Sequence, residues 1–294
     1  MRRGGDDFGY PCRMRSKLGD LDIHSISLGE GRPIIFIHGW AMDHHVELAD
    51  YEPIFARRGG WRRVYFDLPG MGVTPARDPI TDQDRILEAV HGFIDEVVVG
   101  ERFVLAGTSL GAYLARAVLH KRGRDIDGLL LRVPLVIPDD RKRERPAFRP
   151  LIENAQLMSW LGNEAAELGE VLVQSHDYIE ALRDKLHDRV HPAERAAAPI
   201  CAEIRADPAR YALSFDVDAL PEPFTAPTLI MAGRQDTSVG YRDAWSMLEN
   251  FPRASFAVLD RADHGWPLDR KRLFAALVDD WLDRIEETLG VEAP

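Results

Sequence analysis

Short apolar runs alternate along the chain with segments in which apolar residues recur every three or four positions. Because an almost continuous apolar run is typical of a strand covered on both faces, these runs predict buried strands of a parallel sheet. The segment 21–28 alternates less regularly and predicts an earlier, antiparallel strand. The runs that predict buried strands are PIIFIH at 33–38, RVYFD at 63–67, RFVLA at 102–106, GLLLRV at 128–133, TLIMA at 228–232 and SFAVL at 255–259.

The periodic segments between these runs predict helices. Thr81, with Asp84 three residues later, resembles a capping box at the start of one helix, and a second helix follows the run at 102–106. Residues 270–289 predict a closing helix. Since strands that alternate with helices are typical of a parallel sheet with helices on its faces, we predict an α/β fold with a mostly parallel central sheet.

The alternation stops between about Pro134 and Pro223. This stretch opens with the charged segment Asp139–Arg145 (DDRKRER) and then shows only helical patterns. A helical block inserted into a series of strands and helices predicts a cap over the sheet. We therefore assign residues 1–135 and 222–294 to the core and residues 136–221 to a helical cap, or lid.

The composition is that of a globular chain, since 45 % of the 294 residues are hydrophobic and 29 % are charged. These values argue against disorder, collagen and coiled coil. The 48 acidic residues outnumber the 37 basic ones, and the net charge is −11. Because an acidic surface repels polyphosphates, neither nucleic acid nor an anionic membrane is expected as a partner. The sequence predicts no particular oligomeric state.

The features that bear on the compartment favour the cytoplasm. The first twenty residues contain arginines but lack the apolar core of a secretory signal. The most apolar stretch, Leu129–Ile137, is interrupted by Arg132 and Pro134 and is too short to cross a bilayer. Cys12 and Cys201 provide neither a metal-ligand spacing nor a disulfide framework, so free thiols are expected, with one bridge between them as the alternative.

The strongest chemical signal is Gly107-Thr108-Ser109-Leu110-Gly111, between a predicted strand and a predicted helix. In that context G-x-S-x-G forms a sharp turn that lifts the serine hydroxyl above the end of the sheet. Glycine is needed two residues before and after the serine, because those positions crowd each other. The turn also directs the N–H groups and partial positive charge of the helix N-terminus at the reacting group. Ser109 is therefore the predicted nucleophile.

A serine nucleophile needs a base and an acid that orients the base. Asp236 follows the fifth apolar run and His264 follows the sixth, so both reach the edge of the sheet where ligands of such folds bind. Asp139 is the alternative acid, because it follows the preceding strand. Asp260 and Asp263 share the strand end of His264 and are badly placed to orient it.

The sequence His38-Gly39-Trp40 supplies the remaining part of the predicted site. It follows the first buried strand, where a main-chain N–H group joins the one after the nucleophile to form an oxyanion hole. Trp40 and Leu110 are the predicted donors, through their backbone N–H groups. Each such donor stabilises the transition state by about 3–4 kcal/mol.

Together these motifs resemble those of the α/β-hydrolase-fold superfamily, in particular its capped serine hydrolases, and the resemblance covers nearly the whole chain. The segment Asp67–Thr74 (DLPGMGVT) resembles the D-x-P-G-x-G-x-S turn of that superfamily, with threonine in the last place. Ser109 argues against its dehalogenases and soluble epoxide hydrolases, which carry aspartate there. Relatives that cleave carbon–carbon bonds often have S-x-G-G, whereas this chain has alanine at position 112. Tryptophan after the serine, as in proline iminopeptidases, is also absent.

The resemblance implies that Ser109 attacks an acyl carbonyl while His264 takes its proton and Asp236 holds the imidazole. We therefore expect hydrolysis of a small-molecule carboxylic ester through an acyl-enzyme, with no metal ion or organic cofactor. The alternatives are a hydrolase of carbon–carbon bonds, an amidase or an acyltransferase that uses the same triad. A small-molecule receptor with slow turnover is the alternative from another functional class.

Aromatic residues predict parts of the substrate pocket. Trp266 follows His264 by two residues and is the predicted wall residue of the core. In the cap, Trp160 and Tyr178 are predicted to line an apolar acyl pocket together with Met158 and Tyr211. Half or more of these four residues are expected to pack between helices instead.

Two histidine-rich segments invite a metal-binding interpretation. His187 and His191 have the spacing of a zinc-binding helix, but aspartate replaces the expected glutamate and Pro192 ends the helix. The segment 43–45 (DHH) is expected at the surface near the mouth of the pocket. No metal site is predicted from either segment.

Overall fold

The computed structural model describes residues 12–18, 21–76 and 80–290, with side chains from residue 21 onward. These residues contain an eight-stranded sheet in the order β1-β2-β4-β3-β5-β6-β7-β8. β1 and β2 pair in antiparallel fashion, and all pairs from β3 to β8 are parallel. The strands are β1 Cys12–Leu18, β2 Leu21–Leu28, β3 Arg32–Ile37, β4 Trp61–Phe66, β5 Phe103–Thr108, β6 Ile126–Arg132, β7 Thr228–Gly233 and β8 Ala254–Leu259.

The sheet confirms the predicted α/β fold with a mostly parallel core. The six apolar runs form β3 to β8, and β2 pairs with β4 in the antiparallel direction predicted from its weaker alternation. The additional edge strand β1 was not predicted. Its sequence, CRMRSKL, has a basic residue at every second position, and an edge strand needs no continuous apolar run.

Helices cover both faces of the sheet and fill the long connection between β6 and β7. The three-turn and longer helices are α1 His44–Phe55, α2 Gln83–Val97, α3 Leu110–Arg122 and α11 Lys271–Leu289. The shorter ones are α4 Ala155–Leu161, α5 Asn163–Leu168, α6 His176–Lys185, α7 His191–Ala196, α8 Pro199–Ala206, α9 Pro208–Tyr211 and α10 Arg242–Trp245. A π-helical turn, Leu186–Val190, joins α6 to α7.

Alternate residues of each central strand enter two apolar cores on opposite faces. In β3, Ile35 and Ile37 belong to the core that includes α2 and α3, whereas Ile34 and Phe36 belong to the core that includes α1 and α11. Because both faces are covered, the strand is apolar at nearly every position. This explains why these strands were recognisable in the sequence.

The start of α2 differs from the prediction by one residue. Asp82, and not Thr81, is the N-cap, since its carboxylate accepts the N–H of Arg85 at 3.0 Å. Asp84 instead accepts the N–H of Ser214 at 3.1 Å. The Asp82 carboxylate is a stronger N-cap acceptor than the Thr81 hydroxyl, so the capping box predicted from Thr81 and Asp84 does not form.

The connection between β6 and β7 has an apolar core of its own. Leu157 and Leu161 of α4 pack with Leu172 and Ile179, and Leu268, which follows β8, joins the same cluster. The segment is therefore held both by its own contacts and by contacts with the chain beyond β8.

Two further sequence features concern the cysteines and the membrane. Cys201 is a buried free thiol, and its Sγ lies 3.4 Å from the Gly70 carbonyl oxygen. The side chain of Cys12 and the whole of residues 1–11, on which part of the leader prediction rests, lie outside the described residues. Among the helices that are described, none combines the length and the apolar character needed to cross a membrane.

Candidate active site

Ser109 lies in a sharp turn between β5 and α3, at the C-terminal edge of the sheet. Its backbone has φ +54° and ψ −114°, a conformation that costs a residue other than glycine about 1–3 kcal/mol. A β-carbon at Gly107 would lie 2.3 Å from the Gly111 carbonyl oxygen, and one at Gly111 would lie 2.0 Å from the Ile37 carbonyl oxygen. Both glycines are therefore required for the turn. The N–H of Ser109 donates to the Arg132 carbonyl oxygen at 2.9 Å, which fixes the turn to β6.

The structure brings Ser109, His264 and Asp236 together in one chain of hydrogen bonds. His264 Nε2 lies 2.9 Å from Ser109 Oγ, and His264 Nδ1 lies 2.9 Å from Asp236 Oδ2. Asp236 is fully buried, and its Oδ1 accepts the backbone N–H groups of Ser238 and Val239 at 2.8 and 2.9 Å. This geometry is suited to supply the serine hydroxyl with a base and to hold that base against an acid.

The negative charge of Asp236 is stabilised in spite of its burial. Burial by itself raises the pKa of the Asp236 carboxyl, but the His264 ring and the two backbone amides outweigh this effect, and the pKa lies below its usual value. The carboxylate therefore accepts the N–H of His264 Nδ1. Nε2 of the ring is then free to accept the proton of Ser109.

The other aspartates considered from the sequence have different partners. Asp139 accepts hydrogen bonds from the Arg141 guanidinium, which lowers the pKa of Asp139 to about 2. Asp260 accepts a hydrogen bond from the side-chain amide of Gln235, and Asp263 accepts one from the backbone N–H of Gly265. Within the described structure, none of these three carboxylates forms a hydrogen bond with His264.

The two predicted oxyanion donors lie at the ends of neighbouring elements. Trp40 follows β3, and Leu110 is the first residue of α3. Within the described part of the chain, the main-chain N–H groups of Trp40 and Leu110 donate no hydrogen bond. Unoccupied N–H groups at a helix start are suited to bind a developing negative charge.

His38 fixes the loop that carries Trp40. The ring is fully buried, Nδ1 donates to the Gly39 carbonyl oxygen at 2.7 Å, and Nε2 accepts the N–H of Leu68 at 2.9 Å. Burial lowers the pKa of His38, which favours the neutral ring that these two bonds require. Since Leu68 belongs to the segment Asp67–Thr74, His38 joins the loops after β3 and β4.

Ser109 and His264 face a cavity of about 450 Å³. Trp266, predicted from the sequence as a wall residue, lines this cavity. Tyr211 lines it as well, and its ring lies edge-on to that of Trp40 with the centroids 5.1 Å apart. The connection between β6 and β7 supplies further wall residues, among them Leu182, Lys185, Leu186 and Val190.

Trp160 does not line the cavity, contrary to the prediction. Its side chain is 75 % exposed, because α4 turns Leu157 and Leu161 toward the apolar core of the segment and leaves Trp160 on the opposite side. Met158 is only partly buried against the same core. In a helix of two turns, the sequence pattern did not identify the buried face.

Tyr178 is buried, but it packs outside the cavity wall. Its hydroxyl lies 3.4 Å from Asp263 Oδ2, and its ring belongs to the apolar core of the connection between β6 and β7. Tyr178 therefore does not line the cavity as the sequence predicted. Its contact with Asp263 instead joins α6 to the loop that carries His264.

Charged residues in the cavity wall were not identified from the sequence. Glu47 and Arg132 are buried and form an ion pair at 2.9 Å, and Thr108 Oγ1 donates to the same carboxylate oxygen at 3.1 Å. Burial raises the pKa of Glu47 and lowers that of Lys185, which donates a hydrogen bond to the Gly265 carbonyl oxygen. Arg132 was the available signal, because the buried strand β6, apolar from Leu129 to Leu131, ends on an arginine.

The segment 43–45 differs from the predicted surface loop, because it starts α1 and only His45 is exposed. Asp43 caps α1 by accepting the N–H of His45 at 3.0 Å. His44 is 2 % exposed, and its Nδ1 lies 2.8 Å from Asp67 Oδ1. His187, by contrast, is exposed on the π-helical turn. In the described chain, the groups of three metal-type ligands are His24, His44 and Asp67, and Asp43, His44 and His45.

Comparison with known proteins places this geometry in a family. The sequence model of the alpha/beta hydrolase family matches residues 34–277. A pimeloyl-[acyl-carrier protein] methyl ester esterase of Legionella pneumophila (strain Paris) is 21 % identical over 272 residues, covering 89 % of this chain and 100 % of the relative. A 2-hydroxy-6-oxononadienedioate/2-hydroxy-6-oxononatrienedioate hydrolase of Pseudomonas putida is 26 % identical and covers 92 % of this chain and 95 % of the relative.

The fold has a close counterpart among solved structures. An alpha/beta superfamily hydrolase from Oenococcus oeni PSU-1 superposes with a TM-score of 0.77 at 25 % sequence identity, covering 90 % of this chain and 96 % of that structure. The family match extends over most of the sheet and includes Ser109, Asp236 and His264. The chain therefore belongs to the alpha/beta hydrolase family of enzymes.

Proposed function

We propose that the protein is a serine hydrolase that cleaves a small-molecule carboxylic ester. The observation that carries this proposal is the continuous hydrogen-bonded chain from Asp236 through His264 to the hydroxyl of Ser109. A serine hydroxyl is a weak nucleophile by itself, and a base within hydrogen-bond distance is what activates it.

In the proposed reaction, Ser109 Oγ attacks the acyl carbonyl while His264 Nε2 takes the hydroxyl proton. Asp236 keeps the ring oriented and stabilises its positive charge. The carbonyl oxygen becomes negatively charged and accepts the main-chain N–H groups of Trp40 and Leu110. His264 then gives its proton to the departing alcohol, and a water molecule activated by the same ring releases the acid from Ser109.

We further propose that residues 136–221 act as a cap on a core formed by residues 1–135 and 222–294. This role is supported by the residues that the segment contributes to the wall of the cavity containing Ser109, namely Leu182, Lys185, Leu186, Val190 and Tyr211. A wall of this kind excludes water and selects the substrate, while the groups beneath it carry the chemistry.

The names of the relatives support a hydrolase. The bond that is cleaved can be a carboxylic ester or a carbon–carbon bond. The Legionella pneumophila relative is named an esterase, whereas the Pseudomonas putida relative is named for an oxo-dienedioate substrate. An activated ester and a vinylogous 1,5-diketo acid, assayed side by side, separate these activities. Turnover of the diketo acid alone would favour carbon–carbon hydrolysis.

The proposal is tested at the nucleophile. Ser109→Ala should lower ester turnover by about 10⁴-fold or more while the fold remains intact. Ser246→Ala removes an exposed hydroxyl on the surface and is the matched control. A serine-directed phosphonate should add once to the wild type and not to Ser109→Ala. A folded Ser109→Ala enzyme that keeps a tenth of the wild-type rate would contradict the proposal.

Burst kinetics with a chromogenic ester separate an esterase from a receptor. A true esterase continues to release product after the first turnover. One equivalent of product followed by a negligible rate would instead favour a receptor that retains the triad.

A further inference from the structure

We propose that Arg143 and Arg205 form a subsite for a carboxylate of the substrate, in the cavity that contains Ser109. The inference rests on the proposed ester hydrolysis and names its substrate class. These substrates are monoesters of dicarboxylic acids, in which one carboxyl group is esterified and the other is ionised. Both arginines come from the connection between β6 and β7, and both line the cavity.

Arg143 is a buried cation held only by backbone carbonyl groups. It is 9 % exposed, and its guanidinium donates to the carbonyl oxygens of Ile137 at 2.7 Å, Pro138 at 2.8 Å and Ser238 at 3.1 Å. Among the described residues, no carboxylate oxygen lies within 4.0 Å of this guanidinium. Arg143 is thus positioned firmly without a counter-ion.

Without a counter-ion, the guanidinium of Arg143 has an unpaired positive charge and N–H donors without acceptors. A guanidinium has five N–H donors, and the three carbonyl contacts leave two of them available. Burial lowers the pKa of Arg143, and the nearby charge of Arg205 lowers it further. A buried charge without an ionic partner is unfavourable, so an anionic group that enters the cavity is stabilised here.

Arg205 adds a second positive charge to the same wall. Its guanidinium carbon lies 4.6 Å from the centre of the Tyr211 ring. Its Nη2 lies 3.7 Å from Asp140 Oδ2, and both of these side chains are about one-third or more exposed. Asp140 therefore offsets Arg205 in part and acts on Arg143 only from beyond ion-pair distance, so Arg143 keeps no direct counter-ion.

Within the described residues, the other acids near the subsite form no ion pair with Arg143. Glu170 and Glu194 line the cavity from exposed positions, and Glu170 accepts the hydroxyl of Thr237 at 2.7 Å. Asp243 influences Arg143 from a greater distance and accepts the N–H of Glu144 at 3.2 Å. None of these carboxylates neutralises Arg143 directly.

The contacts of the two arginines lead to the reacting groups. Ser238 accepts a hydrogen bond from Arg143 through its carbonyl oxygen and donates its N–H to Asp236 at 2.8 Å. Tyr211, beneath Arg205, lies against Trp40, which carries one of the proposed oxyanion donors. A substrate with its carbonyl at Ser109 therefore extends along a wall that bears both arginines.

A carboxylate is the chemical group that this arrangement fits. The planar guanidinium presents parallel N–H donors that match the two oxygens of a carboxylate, and charge-assisted bonds of this type are among the strongest. An uncharged acyl chain would leave the remaining donors of Arg143 without partners.

The experiment compares matched pairs of esters. Each pair consists of the 4-nitrophenyl monoester of a C5 to C8 dicarboxylic acid and the neutral 4-nitrophenyl ester with the same number of acyl carbons. The wild type should prefer the carboxylated member of at least one pair. Arg143→Gln should lower kcat/KM for that member about tenfold or more and change the neutral member less than about threefold.

Further variants separate charge recognition from a structural role. Arg143→Lys keeps the charge but loses the planar donor pair, so it should retain part of the preference. Arg205→Gln should show a smaller selective loss. Arg141→Gln is the matched control, because this exposed arginine pairs with Asp139 outside the cavity. Equal losses on both members of a pair in Arg143→Gln would mean that Arg143 only joins two loops, and would overturn the subsite.

Competitive inhibition measures binding to the wild-type enzyme, so this test does not depend on whether the variants fold. The free dicarboxylate of the preferred length should inhibit hydrolysis of a neutral ester by the wild-type enzyme competitively. An enzyme that shows neither preference nor inhibition lacks the subsite. If it still hydrolyses neutral esters through Ser109, the proposed function stands and only the subsite fails. If it hydrolyses no ester and takes up no phosphonate, the proposed function itself fails.

Discussion

Lys185 of α6 donates a hydrogen bond to the carbonyl oxygen of Gly265, the residue that follows His264. Lys185 is buried, and its ammonium lies within 4.0 Å of no carboxylate in the described structure. Tyr178, on the same helix, contacts Asp263, the residue before His264. The helix is therefore attached on both sides of the proposed catalytic base.

Lys185→Met should lower kcat by about tenfold, because the loop that positions His264 loses one of its two attachments to α6 and small displacements of a catalytic group are costly. The rate of phosphonate addition should fall in parallel, since it depends on the same base. Lys142→Met is the control, with a side chain 75 % exposed that lies beside Asp139. Unchanged kcat in a folded Lys185→Met enzyme would contradict a positioning role.

Asp236→Asn should lower kcat by about 10³- to 10⁴-fold, because an amide in this place favours the wrong tautomer of His264. KM for a small activated ester should change little. Asp139→Asn serves as the control, since its carboxylate pairs with Arg141. An inactive Asp139→Asn enzyme combined with an active Asp236→Asn enzyme would show that the orienting acid has been misassigned.

Leu182→Ala should change the ratio of kcat/KM values for a long-chain ester and an acetate by about tenfold, since a change in a pocket wall is typically worth about 1–3 kcal/mol between substrates. Leu182 lines the cavity. Leu151→Ala makes the same chemical change at a position in the same segment that is 43 % exposed. Equal losses of kcat/KM on both esters would assign Leu182 to the packing of α6 alone.

His91 should make folding stability depend on pH. Burial, with the nearby charges of Lys121 and Arg122, lowers the pKa of His91 to about 4 from its usual 6.5. Between these values the unfolded chain binds a proton that the folded chain does not, so this contribution to stability is present above pH 6.5 and is lost as the pH falls toward 4.

His91→Gln removes that contribution, so the Tm of the wild type relative to this variant should decrease between pH 7.5 and pH 5. Thermal unfolding followed by circular dichroism at both pH values measures the difference. His187→Gln makes the same change at an exposed histidine and is the matched control. A difference between the wild type and His91→Gln that stays constant with pH would show that His91 does not titrate in this way.

The sheet was predictable because its central strands are covered on both faces. Residues such as Ile34 and Ile35 are both buried, on opposite sides, and a continuous apolar run is the direct result. The approach of Ser109, Asp236 and His264 followed from the same logic, since each lies in a loop at the C-terminal end of a parallel strand.

The cavity wall was less predictable, because it depends on the packing of short helices. Trp160 and Leu161 are neighbours in α4, yet one is exposed and the other is buried. A helix of seven residues shows too little periodicity to reveal its buried face. Arg143 was hidden for another reason: in the segment 139–145 it is surrounded by exposed charges, and only the backbone carbonyls around it distinguish its environment.

The missing side chain at Gly111 lets β3 and α3 meet backbone against backbone, since a β-carbon there would lie 2.0 Å from the Ile37 carbonyl oxygen. Trp40 follows this contact by three residues, and Leu110 adjoins Gly111. The main-chain contact at Gly111, together with the hydrogen bonds of His38, therefore sets the separation of the Trp40 and Leu110 amides, the two proposed oxyanion donors. Mutations in the wall residues that come from the connection between β6 and β7 leave these contacts in place. An ancestral enzyme with this scaffold can thus acquire new substrates during evolution while its catalytic machinery stays constant.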